Sequence, residues 1–172
     1  TPDEDIPGWS ALTAPSAGRL TTGTAVPDFE PDPCRIAPAA GYRGLENQTY
    51  RVQVHTGGPL GTATFKWSRD NASVATRVTH INPARTTLTV ESTGRDTTLG
   101  FNDGDWIEVT DDWRELHGLP GELRRISVAD LNARTLSFDT PLTNGLFPAG
   151  GDDATDVLRN TRITRWDQGG EV

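Results

Sequence analysis

The 172-residue sequence has little of several residue types on which structure or chemistry often depends. It has one cysteine, Cys34, which excludes an internal disulfide and a cysteine-based metal cage in this chain. It has no methionine and no apolar run long enough for a transmembrane helix. The three histidines, His55, His80 and His117, are far apart, and none has the H-x-x-x-H spacing of a zinc site. We therefore predict neither a metal site nor a cofactor.

Local catalytic signatures are missing as well. The chain contains no G-x-S-x-G, no P-loop and no G-x-G-x-x-G, so only a triad assembled through space stays open. The net charge of -8 opposes the phosphates of nucleic acid and the anionic surface of a membrane. We expect no nucleic-acid partner and no membrane insertion. The sequence does not decide whether the protein is an enzyme, but it favours a protein without enzymatic activity.

What is present points to β structure. Eighteen glycines, twelve prolines and few helix-favouring runs predict many turns and short strands. We predict an all-β fold, with an extended Pro-rich arm at 1–33 and a β domain at 34–172. In that domain, 34–92 and 158–168 form a sheet or sandwich, and 93–142 forms an inserted, small barrel-like module.

The stretch from Thr62 to Val74 is the most informative part of the chain. Its residues alternate between an apolar and a polar side, Ala63, Phe65 and Trp67 against Thr64, Lys66 and Ser68. This predicts a core strand with its apolar side buried. Turn-prone residues at 69–71 and a β-rich run at 73–78 predict that the strand continues into a hairpin.

Two features of the sequence are compatible with sugar binding. Trp106, Trp113 and the acidic loop with Asp152, Asp153 and Asp156 could form a ligand surface. The alternative interpretation is a solvated acidic loop, with Trp106 in the core and Trp113 exposed. The residue pattern favours this alternative.

Lys66 is the only lysine, and it has two possible roles. A buried lysine beside an asparagine and a protonated acid can form an internal amide, because burial favours the neutral forms of the lysine and of the carboxylic acid. The candidate partners are Asn47, Asn71, Glu46 and Glu108. An ordinary ion pair with a carboxylate is the favoured interpretation.

Three motifs together resemble a known family. They are GYRGLENQ with YRV in 41–52, ATFKWSRDNASV at 63–74 and RWDQ at 165–168, with GRD and GDWIEV between them. They look like the later part of an uncharacterised bacterial domain-of-unknown-function family of long proteins, whose N-terminal segments often resemble phage-tail or baseplate proteins. The resemblance covers about 19–168 and implies no catalytic residues.

The polar residues of these motifs could form one structural network. Its predicted members are Arg43, Glu46, Asn47, Lys66, Arg69, Asp70, Asn71, Arg165 and Asp167. Arginine forks facing carboxylates across adjacent strands would fix the strand register.

The start at Thr1 without a methionine suggests a piece of a longer polypeptide. The first functional hypothesis is a non-catalytic structural or interaction module of a larger bacterial assembly, phage-tail-like or on the cell surface. Its partners would be other domains of the parent chain or subunits of the assembly. A carbohydrate-binding module, with a glycan partner, and a polysaccharide-acting hydrolase or lyase are the alternatives. We expect a soluble piece and leave open whether it is extracellular or part of a secreted particle.

Overall fold

The computed structural model describes residues 7–15, 49–96, 98–147 and 159–168. The chain divides into two compact units, 1–44 and 45–172. In the first unit, the described residues form one short helix, α1 (Trp9–Thr13), after Gly8 at a φ of 84°. This helix lies within 1–33, the range predicted as an extended arm.

The second unit is mostly antiparallel β structure, which confirms the predicted fold class. Its elements are β1 (Arg51–Thr56), β2 (Thr64–Ser68), β3 (Ala75–Ile81), β4 (Thr87–Val90), β5 (Trp106–Thr110), α2 (Asp112–Leu116), β6 (Glu122–Arg125), β7 (Val128–Asp130), β8 (Thr135–Ser137) and β9 (Arg162–Trp166). β1 and β2 form a two-stranded sheet, called the small sheet below. The other seven strands form one sheet in the order β6-β5-β9-β3-β4-β8-β7.

The main core lies on one face of the seven-stranded sheet. Side chains that are almost fully buried come from most of its strands, including Leu88, Ile107, Val109, Leu136 and Ile163. Ile107 and Val109 alternate with Glu108 along β5, so these two face the core while Glu108 points to the opposite face. Glu108 is nevertheless buried, because that opposite face is covered as well.

The strands of 93–142 belong to the common sheet. β5 pairs with β9, and β8 pairs with β4, so among the described residues this range does not form a sheet of its own. The two edge strands, β6 and β7, are separated by only two residues. Ile126 donates a hydrogen bond to the carbonyl of Asp105, and Ser127 donates one to the carbonyl of Ser137. The sheet therefore curves so that its edges approach each other, although no closed barrel is shown.

The alternation predicted for β2 is present, but the side of the strand that is buried is the opposite of the predicted one. Phe65 is 53% exposed, whereas Lys66 and Ser68 are 7% and 3% exposed. The prediction was wrong because it assumed that the apolar side of a strand must face the interior. Here the polar side is buried, because the interior offers it a carboxylate and hydrogen-bond partners.

The predicted hairpin was also wrong in its pairing. β2 pairs with β1 in antiparallel fashion across the loop at 57–63, and β3 pairs with β4 and β9 instead. The turn residues were identified correctly, since Asn71 and Ala72 have φ angles of 53° and 56°. They redirect the chain from the small sheet into the large one.

No helix among the described residues is long and apolar enough to cross a membrane.

Candidate functional site

A cleft of about 530 Å³ lies beneath the polar side of the small sheet. The side chains of Gln53 and Lys66 face each other across β1 and β2, and His55 lies two residues further along β1 on the same side. β5, β9 and the loop at 118–121 supply the other walls. The alternation of β1 and β2 therefore directs two rows of polar side chains into one cleft.

Glu108 is the centre of this cleft. Its Oε2 contacts the Nζ of Lys66 and accepts a 3.1 Å hydrogen bond from the indole Nε1 of Trp166. Its Oε1 accepts a 3.0 Å hydrogen bond from the main-chain N–H of Gly121. Both oxygens of this buried carboxylate thus have protein donors, which is what a buried charge requires.

Lys66 has a second partner besides Glu108. Its Nζ lies 4.7 Å from the centre of the Trp166 ring, a distance that is typical of a cation–π contact. Because Lys66 is on β2, Glu108 on β5 and Trp166 on β9, the three side chains connect the small sheet to two strands of the large one.

Gly121 is required by the close approach of Glu108. A Cβ at this position would lie 2.5 Å from Cγ of Glu108 and 2.5 Å from the carbonyl oxygen of Val109. Glycine therefore allows the loop at 118–121 to approach β5 closely enough for the N–H of residue 121 to reach the carboxylate.

His55 is the unusual member of the cluster. Its Nδ1 is buried, lies 4.0 Å from Oε1 of Glu108 and has no hydrogen-bond partner among the described residues. The pKa of His55 is lowered from its ordinary value of 6.5, mainly because burial penalises the charged imidazolium. Glu108 opposes this shift, while the positive charges of Lys66 and Arg114 add to it. This shift favours the neutral form of the ring.

Main-chain and side-chain contacts fix the other edge of β2 to the end of β9. The N–H of Asp167 donates to the carbonyl of Trp67 at 2.8 Å. The side-chain amide of Gln168 accepts from the N–H of Trp67 and donates to the carbonyl of Phe65. The Asp167 carboxylate accepts from the N–H of Arg69 and lies 3.4 Å from its guanidinium. β2 is thus held along its length.

Arg165 connects the turn after β2 to the loop before β5. Its guanidinium donates to the carbonyls of Thr98 and Gly100, and it lies 3.3 Å from the Asp70 carboxylate and 3.9 Å from that of Asp105. A planar fork with five donors suits such a set of acceptors, which a lysine could not satisfy together.

Of the predicted network, the structure brings together Arg69 with Asp167 and Asp70 with Arg165. Lys66 pairs instead with Glu108, which was not a predicted member of the network. Asn71 lies in the turn after β2. Arg43, Glu46 and Asn47 lie outside the described residues, as do the three acidic residues of the predicted ligand loop, Asp152, Asp153 and Asp156.

The two tryptophans of the predicted ligand surface do not line this cleft. Trp113 is 49% exposed, as expected, whereas Trp106, which was expected in the core, is only half-buried. Trp113 lies in helix α2 rather than in a loop, because the carboxylate of Asp111 caps the helix by accepting from the N–H of Arg114. The Trp113 ring stacks on His117 at 4.4 Å, and the guanidinium of Arg159 lies 6.0 Å from it.

Sequence reasoning missed three members of the cluster, namely His55, Gly121 and Trp166. The signal for His55 was its position two residues after Gln53, which places both side chains on the side of β1 that faces the cleft with Lys66. Gly121 and Trp166 gave no local signal, because their contacts depend on the packing of elements that are distant in sequence. Within the described ranges, no three metal-binding side chains come together in a potential metal site.

The opposite side of the small sheet is apolar and faces outward. Tyr50, Val52, Val54 and Phe65 are between 42% and 57% exposed. The Trp67 ring lies beside that of Tyr50 at 6.2 Å and beneath the guanidinium of Arg69 at 5.6 Å. Among the described strands, β1 pairs only with β2, so its outer edge is unpaired. We call these five side chains, the four exposed ones and Trp67, the outer apolar face.

A family model described as a family of unknown function matches residues 11–172. No curated protein and no solved structure matches the chain.

Proposed function

The chain belongs to DUF6519, a family of unknown function, and on this premise we propose that it is a non-catalytic interaction module of a larger bacterial assembly. The observation that carries the proposal is the inverted small sheet, which has its charged side inside and its outer apolar face outside. Exposed contiguous apolar surface on a protein commonly marks a contact with another protein.

The inner side of the small sheet supports the non-catalytic part of this proposal. The oxygens of Glu108 are engaged by Lys66, Trp166 and Gly121, and Lys66 is 7% exposed. A general acid or nucleophile needs a lone pair or proton that a substrate can reach. Buried charges that satisfy one another instead hold elements in place.

The outer side supports the interaction part. A two-stranded sheet alone is marginally stable, and its unpaired edge offers N–H and C=O groups to another strand. A partner that packs on the outer apolar face would remove Val52, Val54 and Phe65 from water. We propose that this partner is another subunit or domain of a phage-tail-like or cell-surface assembly.

The test introduces a charge into the outer apolar face within the complete gene product that contains this chain. Val54→Asp and Phe65→Asp should each reduce incorporation into the native particle, measured by sedimentation and immunoblotting. Thr79→Asp is the matched control, because Thr79 is also an exposed strand residue but lies on β3. Unchanged incorporation of both apolar-face variants would refute the proposal.

Carbohydrate binding is the second candidate, and the exposed indole of Trp113 is the observation that favours it. Its contacts with His117 and Arg159 leave less of the ring available for stacking on a sugar than an isolated tryptophan would offer. A Trp113→Ala variant that loses binding on a glycan array would favour this role, and a wild-type chain that binds no glycan would exclude it.

A further inference from the structure

We propose that Lys66 and Glu108 condense to an internal amide bond, which covalently connects β2 of the small sheet to β5 of the large one. The inference deepens the proposed structural role of the buried cluster and rests on it. It concerns the covalent state of the pair, which nothing in the match to the family model assigns.

The first support is the placement of the two reacting groups. The ε-amine of Lys66 contacts the carboxyl group of Glu108, and both side chains are more than nine-tenths buried. Groups held in contact inside a protein react as if at effective concentrations of about 10⁵ M or more. This effect offsets the unfavourable equilibrium of amide condensation in water.

The second support is the pair of donors on the carboxyl group. The N–H of Gly121 donates to Oε1 at 3.0 Å, and the Nε1 of Trp166 donates to Oε2 at 3.1 Å. When the amine attacks Cδ, negative charge develops on a carboxyl oxygen, and donors already in place stabilise it.

The third support is a neighbouring group that can carry protons. The Nδ1 of His55 lies 4.0 Å from Oε1 of Glu108 and is buried without a hydrogen-bond partner among the described residues. A neutral imidazole can accept a proton on one side of a reaction and return it on another.

The atoms of the reaction balance without any further reagent. Transfer of one proton from the Lys66 ammonium to the Glu108 carboxylate gives a neutral amine and a carboxylic acid. The amine nitrogen then forms a bond to Cδ. His55 takes up the second amine proton and delivers it to the hydroxyl group that leaves. One C–N bond forms, one C–O bond breaks, and one water molecule is released, with no change in oxidation state.

The test is the intact mass of the purified 172-residue chain, measured under denaturing conditions that abolish ion pairs. We expect a mass lower than that of the sequence by one water molecule. Because Lys66 is the only lysine, an amine-reactive reagent should label only the α-amine of the denatured chain. A mass equal to that of the sequence, with two labelled amines, would overturn the proposal.

Peptide mapping locates the bond. Trypsin does not cleave after an acylated lysine, so the digest should contain 52–69 joined to 96–114. Lys66→Arg and Glu108→Ala should have their calculated masses. Loss of water in the Lys66→Arg variant would indicate dehydration at Asp103–Gly104, in the same peptide, and would overturn the assignment.

Two further variants test the chemistry. Glu108→Gln keeps a carbonyl group, so it should lose ammonia in place of water. His55→Gln should accumulate the unlinked chain, and complete linkage in that variant immediately after purification would overturn the role of His55. If the wild-type chain proved to be unlinked, the particle-incorporation test of the proposed function would still be valid, because its variants change only the outer apolar face.

Discussion

The close approach of Gly121 to β5 gives a quantitative prediction. In Gly121→Ala, the new Cβ would lie 2.5 Å from the carbonyl oxygen of Val109 and 2.5 Å from Cγ of Glu108, whereas ordinary contacts begin at 3.4 Å. The carbonyl belongs to a strand that is paired on both sides, so it cannot rotate away. The loop at 118–121 must therefore shift by about 1 Å, which also weakens the hydrogen bond to Glu108.

We expect this overpacking to cost about 3 kcal/mol of unfolding free energy. For a chain of this size, that is a decrease in Tm of roughly 6–12 °C. The assay is urea denaturation followed by tryptophan fluorescence, with calorimetry for Tm. Gly57→Ala is the matched control, because a Cβ at Gly57 meets nothing within 4 Å. If Gly121→Ala were as stable as this control, the packing described for the cleft would be wrong.

Two other predictions concern the polar groups around the small sheet. Arg165→Lys should lower the unfolding free energy by about 2–3 kcal/mol, because one ammonium cannot replace a guanidinium that reaches two carbonyls and Asp70. The control, Arg77→Lys on the exposed side of β3, should change the unfolding free energy by less than about 0.5 kcal/mol. Equal effects of the two variants in chemical denaturation would contradict the role of Arg165. Because folding lowers the pKa of His55, its contribution to stability should be complete above pH 6.5 and should decrease at lower pH by at most about 1.4 kcal/mol per pH unit. His55→Gln should flatten that part of the stability profile, and an unchanged slope would show that His55 does not titrate in this way.

Local patterns in the sequence were sufficient for the class of fold and for most strands. Apolar and polar residues alternate along 49–56, 86–92, 106–110 and 159–166, which predicts the strands that the structure has there, β1, β4, β5 and β9. These predictions succeed because the period of a strand is written in consecutive residues. Consecutive residues do not determine which strand pairs with which, and for this reason the predicted hairpin after β2 was wrong.

The orientation of β2 could not be predicted from its own residues. Alternation states that the two sides of a strand differ, and burial of the apolar side is the default inference. In this chain, Glu108 of β5 supplies a buried carboxylate 42 residues away, so Lys66 turns inward and Phe65 turns outward. Only the tertiary pairing of β5, β9 and the small sheet reveals this, and the same holds for the position of His55 in the cleft.

Two neighbouring residues of β2 test the inverted orientation of the small sheet. Phe65→Thr and Lys66→Thr replace side chains on opposite sides of the same strand with one that suits β structure. We predict that Phe65→Thr changes the unfolding free energy by less than about 1 kcal/mol, since Phe65 is 53% exposed. Lys66→Thr should cost about 3–5 kcal/mol, because it leaves the buried carboxylate of Glu108 with neither an amide bond nor an ion-pair partner. A large loss of unfolding free energy for Phe65→Thr, together with a small loss for Lys66→Thr, would show that the apolar side of β2 faces the interior.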